Sequence, residues 1–147
     1  SAGDLISSIN GEQYGANKTV SDKNNNQVLL SERVHQLSKE YGNIILAGHF
    51  CIFDSNDEVD ILPESVFPTL NISQIILLES DVQTIVSNLR HRDRKSYSDK
   101  SVSLLIKKEH EQSERVAKRL NCPLSIYQMT FTDQDVKRIA TLINQGE

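Results

Sequence analysis

The 147-residue sequence is poor in aromatic side chains: four tyrosines, four phenylalanines and no tryptophan make up 5% of it. Proteins that bind single-stranded nucleic acid stack bases on such rings, so this scarcity argues against a base-stacking surface. The net charge of −4 also argues against a broad contact with a phosphate backbone, although it leaves room for a local basic patch. The composition therefore does not favour nucleic-acid binding.

Cysteines are also scarce, and Cys51 and Cys122 are far apart with no metal-ligand spacing. The simplest prediction is a reduced, cytoplasmic setting in which both thiols are small core residues. No apolar run approaches the roughly 20 residues of a membrane-spanning helix, and no secretory signal is visible. We therefore expect one cytoplasmic domain over residues 1–147, although the absence of a starting methionine suggests processing, truncation or missing upstream sequence.

The clearest strand signal is the apolar run Ile44-Ile45-Leu46-Ala47, which lies between Gly42 and Gly48. Four consecutive apolar residues predict a strand that is buried on both faces, as in a parallel sheet. Ligands of open α/β sheets bind beyond the carboxyl ends of strands. This places Gly48 and His49 at a candidate site.

The rest of the chain alternates between strand and helix patterns, which predicts a mainly parallel, right-handed α/β sheet. The middle of the longest predicted helix, residues 107–115, is almost wholly polar, so we expect it to cross open space or line a cleft, with ion pairs in solvent. The predicted elements are a mobile loop over 10–26, helices over 26–41, 64–70 and 98–120, one helix capped by Ser80 or Asp81 and another by Thr132, and strands over 74–79 and 124–129.

The most basic segment, residues 90–95, contains Arg90, Arg92 and Arg94. Alternate residues just past a helix end can converge on one anion, and guanidinium groups suit phosphate oxygens. The same arginines also fit a solvated helix C-terminus, where cations offset the helix dipole. The residues alone leave these two interpretations equally open.

Other polar residues have similar alternatives. His49 fits contact with a phosphate, an acceptor hydroxyl or a metal-bound water, and equally a packed imidazole satisfied by backbone. Asp4 fits contact with a substrate base or sugar, but capping of a helix that starts at Leu5 is the favoured role. A Cys51–His49 nucleophile is weakly indicated, because no third group is placed to orient the base. The acidic residues 54–60 lack calcium-loop spacing, so we expect a solvated loop and assign no metal ligand.

Three motifs together resemble the adenylate-kinase-like P-loop kinases, most closely the small bacterial AAA-type ATP-binding proteins. Residues 1–6 (SAGDLI) are similar to the segment that opens the monophosphate-binding region of nucleoside-monophosphate kinases. Residues 45–50 (ILAGHF) look like the "LDGHF" strand end of archaeal-type members, and residues 90–94 stand where the family has phosphate-facing lid arginines. The resemblance covers nearly the whole chain and implies a three-layer α/β/α P-loop NTPase fold, with a lid-like segment at about 90–115.

Two departures from the family pattern matter. The chain contains no GxxxxGK[ST] phosphate loop; residues 11–19 (GEQYGANKT) come near it, but Asn17 replaces the glycine before Lys18. The resemblance then implies that the first strand and the phosphate loop lie upstream of Ser1, with that strand between residues 44–47 and 75–78. Ala47 stands where the family has an aspartate that helps to hold Mg²⁺, and Ser7 stands near the acceptor-phosphate arginine, so transfer to AMP is not implied.

The resemblance implies an ATP-binding protein, with Mg²⁺ as a further cofactor. Its expected activity is transfer of the γ-phosphoryl group to a small nucleotide-like acceptor, or ATP hydrolysis. Catalytic roles are then expected for Arg90, Arg92, Arg94 and His49, and nucleotide contacts for Asp4, Gly48 and Arg115. The alternatives are a catalytically impaired nucleotide-binding module and a nucleic-acid end kinase. The missing central strand is expected from an upstream segment or from a second chain.

Overall fold

The computed structural model describes residues 1–10 and 23–145. They form helices, strands and one 3₁₀ turn. In chain order these are α1 (Ala2–Asn10), α2 (Lys23–Tyr41), β1 (Cys51–Phe53), β2 (Val59–Ile61), the 3₁₀ turn (Phe67–Leu70), β3 (Ile75–Glu79), α3 (Val82–Asp93), α4 (Asp99–Leu120), β4 (Leu124–Gln128) and α5 (Asp133–Asn144). None of the described helices combines the length and the apolar character that crossing a membrane requires.

The parallel strand pair predicted from the apolar pattern is confirmed. Strands β3 and β4 pair in parallel, with Ile75 opposite Leu124 and Glu79 opposite Gln128. Helices α3 and α4 lie between them in the chain, as a parallel connection requires. Glu79 and Gln128 are the last residues of the two strands, and they lie side by side.

A short antiparallel hairpin was not predicted. Strand β1 pairs with β2, and the acidic residues 54–58 form the turn that joins them. The carboxylate of Asp54 accepts hydrogen bonds from the backbone N–H groups of Asn56 (2.8 Å) and Glu58 (2.9 Å). Asp54 therefore has a structural role in the turn, which organises a segment that we expected to be a solvated loop.

The prediction that residues 44–47 form a strand buried on both faces is wrong for the described chain. Residues 43–49, called segment 43–49 below, belong to no strand, and Ile45 is 78% exposed. Ile44 and Leu46 pack against the cluster of Ile6, Leu30 and Val34 from α1 and α2, so only alternate side chains are covered. The physical reason is that no described strand lies beside the segment to pair with it. The described residues thus form two two-stranded sheets, not one larger sheet.

Local signals explain where the helices begin and end. Of the two predicted alternatives, Ser80 and Asp81, it is Asp81 that caps α3, and its side chain accepts from the N–H of Thr84. The predicted helix start near residue 98 is confirmed, and Ser98 caps α4 by accepting from the N–H of Ser101. Asn121 ends α4 in the left-handed conformation (φ 52°), which asparagine tolerates better than most residues. The 26–41 helix is confirmed with an earlier start at Lys23, and the predicted 64–70 helix is reduced to the 3₁₀ turn.

Two capping assignments are corrected. Helix α1 starts at Ala2, and the hydroxyl of Ser1 accepts from the N–H of Asp4 (3.3 Å), so Ser1 is the cap and Asp4 lies in the first turn. The side chain of Thr132 makes no capping hydrogen bond. The carboxylate of Asp135 instead accepts from the N–H groups of Thr130 and Phe131, the latter at 2.7 Å.

Helix α4 is the element on which the core is built. Its Val116 and Ala117 are buried with Phe67 and Ile75, and it contacts both strands of the hairpin as well as β3 and β4. Of the two alternatives predicted for its polar middle, the structure favours the cleft, which Lys107, His110 and Glu111 line. Gln112 and Ser113 are 3% and 0% exposed, so this part does not cross open space. Cys51 is a buried core residue, as predicted, whereas Cys122 is half-buried. The phosphate-loop lookalike at 11–19 and most of the predicted loop over 10–26 lie outside the described residues.

Candidate functional site

The carboxyl end of the parallel strand pair carries a connected group of polar side chains. Glu79 ends β3, and its two carboxylate oxygens contact His110 Nδ1 of α4 (2.6 Å) and Gln128 Nε2 of β4 (2.7 Å). His110 Nε2 lies 3.5 Å from Glu114. The hydrogen bond to Glu79 raises the pKa of His110. An open cleft of about 470 Å³ borders this group, and Val82 of α3 forms part of its wall.

The residue before His110 reaches a different part of the fold. The Glu109 carboxylate accepts a hydrogen bond from the backbone N–H of Phe50 (2.9 Å), and its other oxygen lies 3.2 Å from His49 Nδ1. Adjacent residues of α4 therefore contact the end of segment 43–49 and the end of β3. The predicted site residue His49 is thereby located: its imidazole is 69% exposed and contacts Glu109.

The arginine cluster divides into two faces. Helix α3 continues to Asp93, so Arg90 and Arg92 lie within the helix and not past its end. Residues four apart share a helix face, whereas residues two apart point to nearly opposite sides. Arg90 and Arg94 accordingly line one open depression, together with Gln83, Val86, Ser87 and His91. Arg92 does not line it.

Arg90 and Arg94 also differ from Arg92 in their partners. No ion pair joins either of them to a carboxylate of the described residues, whereas Arg92 donates to the neighbouring Asp93 through Nε (2.5 Å) and Nη2 (2.7 Å). The hydrogen bond to Asp93 raises the pKa of Arg92 above its ordinary value. Guanidinium groups are donors of the kind that suit anions with several oxygens. The guanidinium group of Arg92, in contrast, binds a carboxylate of the protein, that of Asp93.

None of the three expected nucleotide-contact residues lines the depression that contains the arginine pair. Asp4 contacts Ser1 and accepts a hydrogen bond from its hydroxyl (2.7 Å). Gly48 is exposed beside Ala2, where a Cβ atom at position 48 would lie 3.6 Å from that of Ala2, an ordinary contact. Arg115 binds Glu64 (3.3 Å), and Arg119 binds the same carboxylate (3.2 Å).

The weak Cys51–His49 interpretation gains no support. Cys51 is 1% exposed. Burial first, and then the negative charge of Glu109, raise the pKa of its thiol to about 12, so it stays protonated at neutral pH. His49 contacts Glu109 and makes no hydrogen bond to the sulfur. A neutral, buried thiol is a poor nucleophile.

Sequence reasoning missed Glu79, Glu109 and His110 as a set. One sequence feature could have indicated Glu79 as a site residue: it is the polar residue at the carboxyl end of a predicted strand, where ligands of α/β sheets bind. Glu109 and His110 stood in a polar helix segment that was interpreted as solvent-facing. Their partners are 60 and 31 residues away in the sequence, so only the packing of α4 brings them together.

Comparison with known families adds the decisive observation. Residues 1–105 match the family model AAA_17, described as "AAA domain". The chain belongs to the AAA_17 family. This is an adenylate-kinase-like P-loop NTPase family, and membership indicates nucleotide binding. A search of curated proteins found no match.

The AAA_17 match is shorter than the resemblance suggested. It includes segment 43–49, β3, α3 and the arginine cluster, and it ends in the second turn of α4. Glu109, His110 and β4 lie beyond it. The expectation that the likeness covers nearly the whole chain is thus corrected to its first 105 residues.

Mg²⁺ prefers oxygen ligands, carboxylates above all. Ala47 has no oxygen on its side chain, and its carbonyl accepts from Ala2 N–H (2.9 Å). Both oxygens of Glu79 are engaged by His110 and Gln128. Among the described residues, no group of three histidine, cysteine, aspartate or glutamate side chains is arranged to hold a metal. These residues do not fit a magnesium site of their own.

Proposed function

We propose that this AAA_17 protein binds ATP and transfers its γ-phosphoryl group to a small nucleotide-like acceptor or to water. The observation that carries the proposal is the arginine pair: Arg90 and Arg94 line one depression and are unpaired among the described residues. Phosphoryl transfer depends on cationic groups around the phosphate oxygens. ATP supplies the phosphoryl group, and the arginines bind and orient its phosphates.

His49 is proposed as the residue that meets the acceptor. Its imidazole is exposed at the end of segment 43–49, while Glu109 holds the neighbouring Phe50 backbone. A histidine oriented by a carboxylate keeps one ring nitrogen available to accept a proton. Asp4, Gly48 and Arg115 remain proposed nucleotide contacts, although Arg115 would first have to leave Glu64.

We also propose that a further parallel strand lies between segment 43–49 and β3 in the working protein. Strand β3 pairs only with β4 among the described strands, so its other edge is open. Segment 43–49 exposes the apolar Ile45. An inserted strand would pair the backbone groups on both sides, and unpaired groups of this kind are costly when they are buried. It is expected from an upstream segment of the protein or from a second chain.

ATP binding to the full protein, measured by calorimetry with and without Mg²⁺, tests the proposal. Arg90→Ala and Arg94→Ala should each weaken binding at least about tenfold, because each removes charged hydrogen bonds to phosphate. Arg92→Ala should have a smaller effect. Arg138→Ala, which removes one positive charge from α5, is the matched control and should change the affinity little.

Turnover then separates the candidates. Phosphoryl transfer to a nucleoside or nucleotide, or release of phosphate, supports the enzyme. ATP binding without turnover on any acceptor favours a catalytically impaired regulatory module, which the alanine at position 47 also favours. An absence of ATP binding would refute both. Intact-mass and light-scattering measurements that found one copy of these residues alone in the active species would refute the inserted strand.

A further inference from the structure

The connection between α3 and α4, residues 94–98, contacts the β1–β2 hairpin through two side chains, those of Tyr97 and Lys95. Tyr97 donates its hydroxyl proton to Asp93 (2.8 Å), and its ring stacks on that of Phe53 in β1 (5.0 Å, 23°). Lys95 forms an ion pair with Asp57 in the hairpin turn and lies over the Tyr97 ring (5.4 Å). Two elements far apart in sequence are thus joined at one point.

The strongest of these contacts centre on a buried carboxylate. The Asp93 side chain is 5% exposed and accepts from Arg92 as well as from Tyr97. Burial first, and then Asp93, raise the pKa of Tyr97 to about 12, so its hydroxyl remains a donor at neutral pH. A buried carboxylate that loses a donor is penalised, so the Tyr97 contact is held more firmly than an exposed one.

We infer that Asp57, Asp93, Lys95 and Tyr97 form a latch that docks residues 94–98 on the hairpin and fixes the arginine pair. This inference rests on the proposed function for the role of that pair. Arg94 lies directly between Asp93 and Lys95, and it adopts the left-handed conformation (φ 52°). A non-glycine residue holds that conformation at a cost in free energy, which its surroundings must offset.

The geometry assigns Asp93 and Tyr97 as positioning residues. Both flank the Arg94 backbone, and neither lines the depression that contains Arg90 and Arg94. With the latch closed, Arg94 is held on the face of α3 that carries Arg90. With it open, residues 94–98 lose their contacts with the hairpin and the two guanidinium groups no longer share one fixed orientation.

Limited trypsin digestion of the full protein tests the latch directly, because trypsin cuts after Arg94 and Lys95 and requires a locally open chain. Tyr97→Phe keeps the ring stack and removes the hydrogen bond to Asp93, so it should speed cleavage at these two positions about tenfold. Tyr127→Phe is the matched control, since the Tyr127 hydroxyl also donates to an aspartate, Asp135 (2.7 Å), at another place in the fold. It should leave this cleavage rate unchanged.

The exposed half of the latch has its own test. Asp57 is in the left-handed conformation (φ 60°), which asparagine also tolerates, so Asp57→Asn removes the ion pair while preserving the turn. Cleavage should rise about two- to threefold, since the pair is partly solvated. About 1 M salt, which screens exposed charges, should produce the same rise in the wild type and none in Asp57→Asn.

Calorimetry with inorganic tripolyphosphate reports the positioning role. Tyr97→Phe should weaken tripolyphosphate binding about three- to tenfold, because a mobile arginine must be ordered on binding. Equal cleavage rates in the wild type and Tyr97→Phe would overturn the latch, as would equal acceleration in Tyr127→Phe. Faster cleavage with unchanged tripolyphosphate affinity would overturn the positioning role. If the wild type does not bind tripolyphosphate, the proposed anion site fails, and the digestion still decides the latch.

Discussion

Replacing Glu109 by alanine is expected to destabilise the domain more than any change at the neighbouring His49. The Glu109 side chain is 15% exposed and holds the backbone N–H of Phe50 at 2.9 Å. A hydrogen bond to a charged group contributes about 1.5–3 kcal/mol. The contact with His49 is exposed and adds less than about 1 kcal/mol. The expected loss for Glu109→Ala is therefore about 2–3 kcal/mol.

Urea unfolding followed by circular dichroism measures this loss, with the slope against urea concentration checked for constancy. Glu109→Gln should lose only about 1 kcal/mol, because the amide oxygen can still accept from Phe50. His49→Ala should lose less than about 1 kcal/mol, which leaves His49 available for a ligand.

Glu114→Ala is the matched control, since Glu114 lies on the same helix and is 61% exposed. It should change the free energy of unfolding by no more than about 1 kcal/mol. The reasoning is refuted if Glu109→Ala unfolds within about 0.5 kcal/mol of the wild type, or if His49→Ala costs as much as Glu109→Ala.

Two further predictions concern pH and are checked by thermal unfolding across a pH series. In the folded state the hydrogen bond with Glu79 raises the pKa of His110 above 6.5. The stabilising contribution of His110 is therefore complete below about pH 6.5 and is lost as the pH rises through the folded-state pKa. His110→Gln should flatten this part of the stability curve, and an unchanged slope would contradict the prediction. Asp135 has its pKa lowered from 3.8 to about 2 by hydrogen bonds, from Thr130 above all, so its contribution is present above pH 3.8 and is lost as the pH falls towards 2. Asp135→Asn should remove that acid-dependent loss, whereas a variant that still shows it would exclude Asp135 as the cause.

Those parts of the fold that local pattern determines were predictable. β3 contains an apolar run, β4 is a short segment with leucine, isoleucine and tyrosine, and α3 and α4 begin at side chains that cap their first turns. The hairpin escaped prediction because each of its strands has only three residues. The acidic residues 54–58, which were expected to form a solvated loop, form a turn in which Asp54 accepts backbone hydrogen bonds. This role of Asp54 follows only from the positions of the two strands that the turn joins.

The candidate site was predictable only in part, for a geometric reason. Alternate arginines were expected to converge on one anion because the helix was expected to end before them. The helix runs to Asp93, so Arg90 and Arg94 share a face and Arg92 turns away to Asp93. Contacts such as Glu79 with His110 join residues 31 positions apart, and no local pattern encodes such pairs.

The apolar residues 44–47, which predicted a buried strand, also allow a sharp test of the proposed inserted strand. Ile45 is 78% exposed, so Ile45→Asp should change the free energy of unfolding of these residues by less than about 0.5 kcal/mol. Ile75→Asp is the positive control: Ile75 is only 7% exposed, so an aspartate at this position should prevent folding. If the proposed strand inserts beside segment 43–49, Ile45 becomes covered in the working protein, and Ile45→Asp should then abolish ATP binding while leaving these residues folded. Normal ATP binding by Ile45→Asp would show that the apolar run faces solvent in the working protein too, and the inserted strand would have to be abandoned.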